Sequence, residues 1–285
     1  MILSVALCTC NGEMFLREQL NSILDQTLPV DEIVICDDAS SDNTQGLLAS
    51  YQQKYPYIIK LHFNERSLGT IKNFEKAISL TNGQLIFLSD QDDIWSKNKV
   101  SVMSSFFNKH EDCKLLFTNG LLIDEKSNSL NTTLWDKWGF QKPKRQSWKN
   151  NNNAFNDLLN NDNKITGATI CFHKSLKKYV LPIEVPLGYW HDAWLGLHAS
   201  AQKGLYFFDK NLIKYRIHQG QQIGISKDVP KATTEKGNRN YIDKADFYSI
   251  VREFYPVQME SRIQSLQKKR FSWKKFNLWI LNKIK

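Results

Sequence analysis

The feature that most constrains this chain is a change of hydrophobic period, repeated several times within the first 120 residues. Short apolar runs rich in β-formers occur at 3–7, 33–36, 58–63, 85–88 and 115–117. Between them the apolar residues fall at helical spacing: Leu16, Leu20, Ile23 and Leu24; then Leu47, Leu48 and Tyr51; then Phe74, Ala77 and Ile78. Strands alternating with helices in this way pack as a doubly wound, mainly parallel α/β sheet covered on both faces. Turn chemistry agrees, with Ser40, Ser41 and Asp42 as candidate caps for a helix starting near Asn43 and Asn82-Gly83 closing the helix before the fourth strand.

Beyond the alternating half the pattern loosens. Residues 125–164 are polar and asparagine-rich but carry Trp135, Trp138 and Trp148, which reads as a mobile or partner-contacting region rather than core. The run 168–172 resumes the sheet, 188–201 has helical spacing, and 204–215 holds a further strand. A polar linker is expected over 226–240 and a helical tail over 241–285.

Composition excludes several classes. Hydrophobic residues at 41% and charged residues at 24% give a chain that can build a core, so global disorder is excluded. No run of about 18 apolar residues exists, so no spanning helix is expected, and the first residues lack the basic leader of a secretory signal. Five cysteines with no CxxC pair argue against a disulfide framework or a zinc ribbon and for a reducing cytoplasm. Residues 260–285 carry eight Lys/Arg against one acidic side chain, +7 of the total +9. The body is nearly neutral, which argues against a nucleic-acid-binding face there.

Ligands of open α/β sheets bind beyond the carboxyl ends of the strands. Four strand ends here turn polar at that point: Thr9-Cys10-Asn11-Gly12, Asp37-Asp38, Asn64-Glu65-Arg66 and Ser89-Asp90-Gln91-Asp92-Asp93. Neither GxGxxG nor GxxxxGK[ST] is present, so a phosphate ligand must be held differently from a dinucleotide or P-loop site. Asp90, Asp92 and Asp93 on one turn are costly without a cation, and a hard divalent ion there can bridge diphosphate oxygens. A solvated loop or helix cap is the plain alternative. Asp37 and Asp38 suit hydrogen bonding to a base or ribose, or a capping loop. Asp192, before an apolar helical stretch, reads as an N-cap or as a general base. His218, in YRIHQGQQIG, reads as an ordinary histidine or a metal ligand.

The segments ALCTCNGEMFLREQLNSILDQT, IVICDDASSDNT, SLGTIKNFEKAI, IFLSDQDDIW, TGAT, HDAWLGL and YRIHQGQQIG stand in one order over about residues 1–225. Together they resemble a family-2 glycosyltransferase, most closely the bacterial rhamnosyltransferase-like branch. The resemblance implies a GT-A fold over 1–225, with a nucleotide-sugar half to residue 120 and an acceptor-side half from 121. It further implies a nucleotide-diphosphate-sugar donor, dTDP-rhamnose before a UDP-sugar, a glycan or lipid-linked acceptor, and Mg²⁺ or Mn²⁺.

By position, Asp38 would read the base, Cys8 and Thr9 would line the nucleotide pocket, and Asp90 would face the ribose. Asp90-Gln91-Asp92 resembles the family's DXD signature, with Asp92 holding the metal and His218 completing its site. Lys72 lies where a basic residue often meets the donor, and Asp192 matches the catalytic base. Cys10 stands where the family commonly has an aromatic residue, and His191 where it commonly has a second acid. Apolar Ile263, Leu266, Trp273, Phe276, Ile280 and Ile284 recur among basic residues, so the tail is expected to contact an anionic membrane at its cytoplasmic face or to pack on another surface. LIFLSDQDDI also fits a haloacid-dehalogenase-type phosphatase with Asp90 as nucleophile and Asp92 as acid, though that motif belongs on a first strand. A catalytically silent sugar-nucleotide binder is the remaining alternative.

Overall fold

In the computed structural model, residues 1–219, 221, 241–260 and 262 are described. The elements in chain order are β1 (Leu3–Thr9), α1 (Leu16–Leu24), β2 (Glu32–Asp37), α2 (Thr44–Lys54), β3 (Ile59–Phe63), α3 (Thr70–Leu80), β4 (Leu85–Ser89), β5 (Ile94–Trp95) and α4 (Lys99–Lys109). They continue as β6 (Leu115–Ile123), β7 (Ser129–Thr133), α5 (Leu134–Lys137), α6 (Lys142–Trp148), α7 (Asn151–Leu159), a 3₁₀ turn (Gly167–Thr169) and β8 (Ile170–His173). A second 3₁₀ turn (Lys174–Leu176), α8 (Lys177–Val180), α9 (His191–Ala201), β9 (Leu205–Arg216) and α10 (Lys244–Phe254) complete the described chain.

One sheet runs in the order β3-β2-β1-β4-β8-β6-β9-β5, with β7 paired to β6. β3, β2, β1 and β4 are mutually parallel, β8 is antiparallel to both β4 and β6, and β9 runs parallel to β6. The sheet is therefore mixed and mainly parallel. All seven residues of β1 and all six of β2 are buried, as expected of central parallel strands with helices on both faces. The amphipathic faces foreseen for the first three helices are the buried ones: Leu16, Leu20 and Ile23; Leu47, Leu48 and Tyr51; Phe74, Ala77 and Ile78. At the start of α2 it is Asp42 that accepts from the Thr44 N–H at 3.0 Å, while the Ser40 and Ser41 hydroxyls bind the loop after β1. α3 ends at Leu80, short of Asn82-Gly83.

The expectation for residues 125–164 is corrected. Trp135 and Trp148 are about 2% and 1% exposed and pack with Phe117, Phe140 and Phe207 in one aromatic cluster. The asparagines that dominate the composition mark helix starts and turns: the Asn150 side chain caps α7, and the Asn151 side-chain Oδ1 accepts from the Leu205 N–H at 2.9 Å. Average polarity hid which residues faced inward.

α10 docks on α9. Phe247 and Val251 are buried, Phe247 lies against Tyr189 and Trp194, and the Tyr255 hydroxyl meets His198 Nδ1 at 2.7 Å. The linker expected at 226–240 and the tail from Ile263 onward lie outside the described residues.

Candidate active site

The loops after β1 and β2 are laced together. Asn11 accepts from the Ser41 N–H at 2.8 Å, its own N–H reaches Ser40 Oγ at 2.8 Å, and Gly12 N–H reaches Thr44 Oγ1 at 2.8 Å. Gln91 joins the turn after β4 to the same loop: its side chain accepts from the Cys10 N–H at 2.8 Å and donates to the Cys10 carbonyl at 3.0 Å. A Cβ on Gly12 would meet Gln91 Oε1 at 2.2 Å, so this approach needs glycine.

Two antiparallel pairings bring distant chain segments to that turn. β5 pairs with β9 in the register Ile94↔Lys214 and Trp95↔Ile213, so residues preceding Ile94 lie beside those following Lys214. Asp92 Oδ2 accordingly sits 2.8 Å from His218 Nε2, and both side chains are about 11% exposed. β8 pairs with β4 through Phe87↔Cys171, which carries the 3₁₀ turn at Gly167–Thr169 alongside the end of β4. Asp192, in the first turn of α9, bonds the Gly167 backbone, the Ala193 N–H at 2.6 Å and Asn163 Nδ2 at 3.0 Å.

The electrostatics follow from this convergence. Burial, then the charges of Asp92 and Asp192, raise the Asp90 carboxyl to about 7, with the Lys99 ammonium pulling the other way. Burial also raises Asp192 to about 7 against the donors that favour its ionised form. Burial followed by the charges of Asp93, Asp90, Asp92 and Asp192 drives the Tyr215 phenol far up. One buried phenol thus senses all four carboxylates. Lys99, wholly buried, is lowered by desolvation to about 7; its Nζ donates to the Ala168 carbonyl at 2.6 Å and lies 3.9 Å over the Trp95 ring.

Asp38 is buried, and its oxygens accept from Asn64 Nδ2, Ser67 Oγ and the Leu68 and Gly69 N–H groups at 2.7–2.9 Å. These fill the four acceptor positions of a carboxylate. The Thr9 hydroxyl donates to Asp37 at 2.8 Å. Cys8 is buried, its thiol pushed well up by burial and then by Cys36, Asp90 and Asp38. Lys72 is not brought to the carboxylates: its ammonium binds Glu75 at 2.7 Å and the Ile183 carbonyl at 3.1 Å. Asp192 is not the N-cap of α9, a position held by Trp190. His191 stacks on Phe74 with centroids 4.1 Å apart and is lowered by burial to about 3, so it stays neutral.

Several participants escaped the sequence reading. Arg216 was visible inside YRIHQGQQIG but carried no sign that it would be buried. Lys99 and Asn163 had no local signal, since a buried lysine and a carboxylate-binding asparagine look like surface residues in sequence.

Among the described residues, no group of three or more His, Cys, Asp or Glu side chains is arranged to enclose a metal. Asp92 and His218, in contact at 2.8 Å, are one carboxylate and one imidazole that could contribute to holding a cation.

Comparison with solved structures defines the class. The chain superposes on S. aureus TarS in complex with UDP-GlcNAc with a TM-score of 0.59 at 18% identity, covering 90% of this chain and 66% of that one. It superposes on the mannosyltransferase PcManGT from Pyrobaculum calidifontis, in complex with GDP-Man and Mn²⁺, with a TM-score of 0.53 at 15% identity, covering 73% and 54%. The fold is the GT-A fold of these glycosyltransferases. The family model for glycosyl transferase family 2 matches residues 4–178, and the chain belongs to that family.

Among curated relatives, an uncharacterised glycosyltransferase of Methanocaldococcus jannaschii is 27% identical over 76% of this chain and 71% of its own. The dTDP-rhamnosyl transferase RfbG of Shigella flexneri is 41% identical, but over only 33% of this chain and 34% of its own. The chain thus spans about a third of RfbG, about two thirds of TarS residues 1–349 and 37% of the longer TarS chain. Family membership and the position of Asp90 after β4, not after the first strand, remove the basis for the phosphatase reading.

Proposed function

We propose that this chain is an inverting, metal-dependent glycosyltransferase that moves a sugar from a nucleotide-diphosphate donor to a glycan or lipid-linked acceptor in bacterial surface polysaccharide synthesis. The observation that carries this reading is the contact of Asp92 with His218 at 2.8 Å, together with Asp192 bonded to the Gly167 turn that the β4–β8 pairing carries alongside the strand end bearing Asp90. The partial likeness to RfbG favours dTDP-rhamnose, and the UDP and GDP sugars bound by the solved neighbours keep a UDP-hexose as the second choice.

The residues present fit a divalent cation such as Mg²⁺ or Mn²⁺. One carboxylate oxygen and one imidazole nitrogen are 2.8 Å apart, and an ion held by so few protein donors takes its remaining ligands from diphosphate and water. When bound, such an ion supplies positive charge to the departing diphosphate. Asp192 accepts the proton of the acceptor hydroxyl, and Asn163, Gly167 and Ala193 orient its carboxylate for that transfer. Cys8, Thr9, Asp38 and Asp90 form the nucleotide side. A base N–H reaches Asp38 only by displacing one of its four donors, and the Ser67 hydroxyl is the one that can rotate away. Lys72 serves the donor only if it leaves Glu75. Residues 260–285 provide peripheral contact with the cytoplasmic membrane face.

The test is a thermal-shift panel of UDP, dTDP and GDP with Mn²⁺, followed by the matching sugar nucleotides. Metal-dependent stabilisation by one nucleotide, with slow hydrolysis of its sugar nucleotide in the absence of acceptor, supports an active transferase. Stabilisation without hydrolysis or transfer leaves a silent binder, and no response to any nucleotide refutes the reading.

A further inference from the structure

We propose that Arg216 is a positioning residue that sets the spacing of the two candidate metal ligands, and that Glu18 on α1 holds it in place from the outer side. The proposal rests on the reading of Asp92 and His218 as the cation-binding pair. Arg216 is completely buried, where an arginine persists only if its charge and donors are satisfied. Its Nε donates to the Asp92 carbonyl at 2.8 Å, and its backbone N–H donates to Asp93 Oδ1 at 3.1 Å. Both bonds fall on the acidic turn, one on the main chain of the candidate ligand and one on the next side chain. His218 follows two residues later on the same strand end. The two segments that supply the ligands are therefore pinned to one residue.

The rest of the guanidinium ties that residue to the body. Nη1 reaches the Asp124 and Glu125 carbonyls at 3.2 and 3.3 Å and Ser127 Oγ at 2.9 Å, and Nη2 pairs with Glu18. The Phe15 ring contacts both residues, 4.5 Å from the guanidinium carbon and 4.8 Å from the His218 ring centroid. Three chain segments, the acidic turn, residues 124–127 and α1, thus share one planar fork of five N–H donors, a pattern that lysine, with one compact ammonium, does not reproduce. Glu18 Oε2 is the only carboxylate bound to the fork among the described residues, and its side chain is about 47% exposed. It is a handle on the clamp that lies outside the ligand set.

The experiment measures Mn²⁺ binding to the full chain by the EPR signal of free Mn²⁺, with dTDP or UDP present, beside thermal unfolding of the same samples. Arg216→Lys is expected to weaken Mn²⁺ by about 10–100-fold, the usual cost of losing a group that orients a ligand. Glu18→Gln, at a half-exposed position, is expected to fold normally and to weaken Mn²⁺ about five-fold, because a neutral amide holds the guanidinium less firmly. In steady state both variants should show the loss as a raised Mn²⁺ requirement, with the pH dependence set by Asp192 unchanged. A folded Glu18→Gln variant that binds Mn²⁺ as the wild type does overturns the proposal, even if Arg216→Lys fails to fold. Wild-type protein that binds Mn²⁺ with neither nucleotide overturns the functional reading instead, and this inference with it.

Discussion

At Asp192, burial and hydrogen bonding act in opposite directions, and the balance leaves the carboxyl near 7. A general base works best when its pKa lies close to the working pH, so this balance suits proton removal from a sugar hydroxyl. Because only the ionised form accepts a proton, kcat/KM should rise as pH increases through about 7 and level off above it. Asn163→Ala removes a donor that favours the carboxylate, so the acid limb of the pH–rate profile should move up by roughly one unit. An unmoved limb would show that the titrating group is another residue. Asp92→Ala should abolish the Mn²⁺ dependence of nucleotide binding while leaving the fold intact, and unchanged dependence would contradict the ligand assignment.

At the scale of elements, the short and easily overlooked ones assemble the site. The five main strands and the first helices were legible because burial on both faces of a parallel sheet writes long apolar runs, and amphipathic helices write a 3.6-residue period. β5 has two residues, too few to leave a periodic signature, and β7 is an exposed polar edge strand, SLNTT, yet β5 sets the register that brings His218 to Asp92. Long-range pairing of this kind is not encoded in local pattern. The 125–164 segment misled for a related reason, since its buried aromatics are spaced among asparagines that serve turns and caps.

Glu32 tests the sheet frame itself. Burial alone would raise its carboxyl, but bonds from Lys60, Ser4 and Asn82 overrule that and bring it down to about 2. The ionised side chain joins β1, β2, β3 and the turn before β4. With the folded-state pKa below the unfolded one, its contribution is present above about pH 4.5 and is lost as pH falls toward about 2. Glu32→Gln should therefore cost about 1–3 kcal/mol near pH 7, seen as a lower midpoint in denaturant, and that deficit should shrink toward pH 3. A deficit that does not change with pH would mean the charge is immaterial. Gly12→Ala should likewise cost about 1–3 kcal/mol, because its methyl drives the Gln91 side chain off the Cys10 backbone.

At the scale of the whole molecule, the ordered motifs along residues 1–225 were readable as a family pattern, and the sheet explains why their order matters: each occupies the rim end of a strand or the start of the helix beside it. The docking of α10 on α9 was not readable, because Phe247, Val251 and Tyr255 make the same pattern whether a helix meets protein or membrane. No helix among the described residues is long and apolar enough to cross a membrane. If the distal basic segment supplies peripheral attachment, removing residues 268–285 should abolish flotation with anionic vesicles, since each lysine or arginine near such a surface contributes about 1 kcal/mol. Flotation undiminished by the truncation would refute that role.

The proposed transfer depends on Asp192 acting on a sugar acceptor while the other carboxylates hold the donor, and the Asp192→Asn enzyme separates the two tasks. Measured on one preparation, its turnover should fall at least about 100-fold while its affinity for the nucleotide with Mn²⁺ stays within about two-fold of wild type. Turnover close to wild type with the asparagine in place would contradict it.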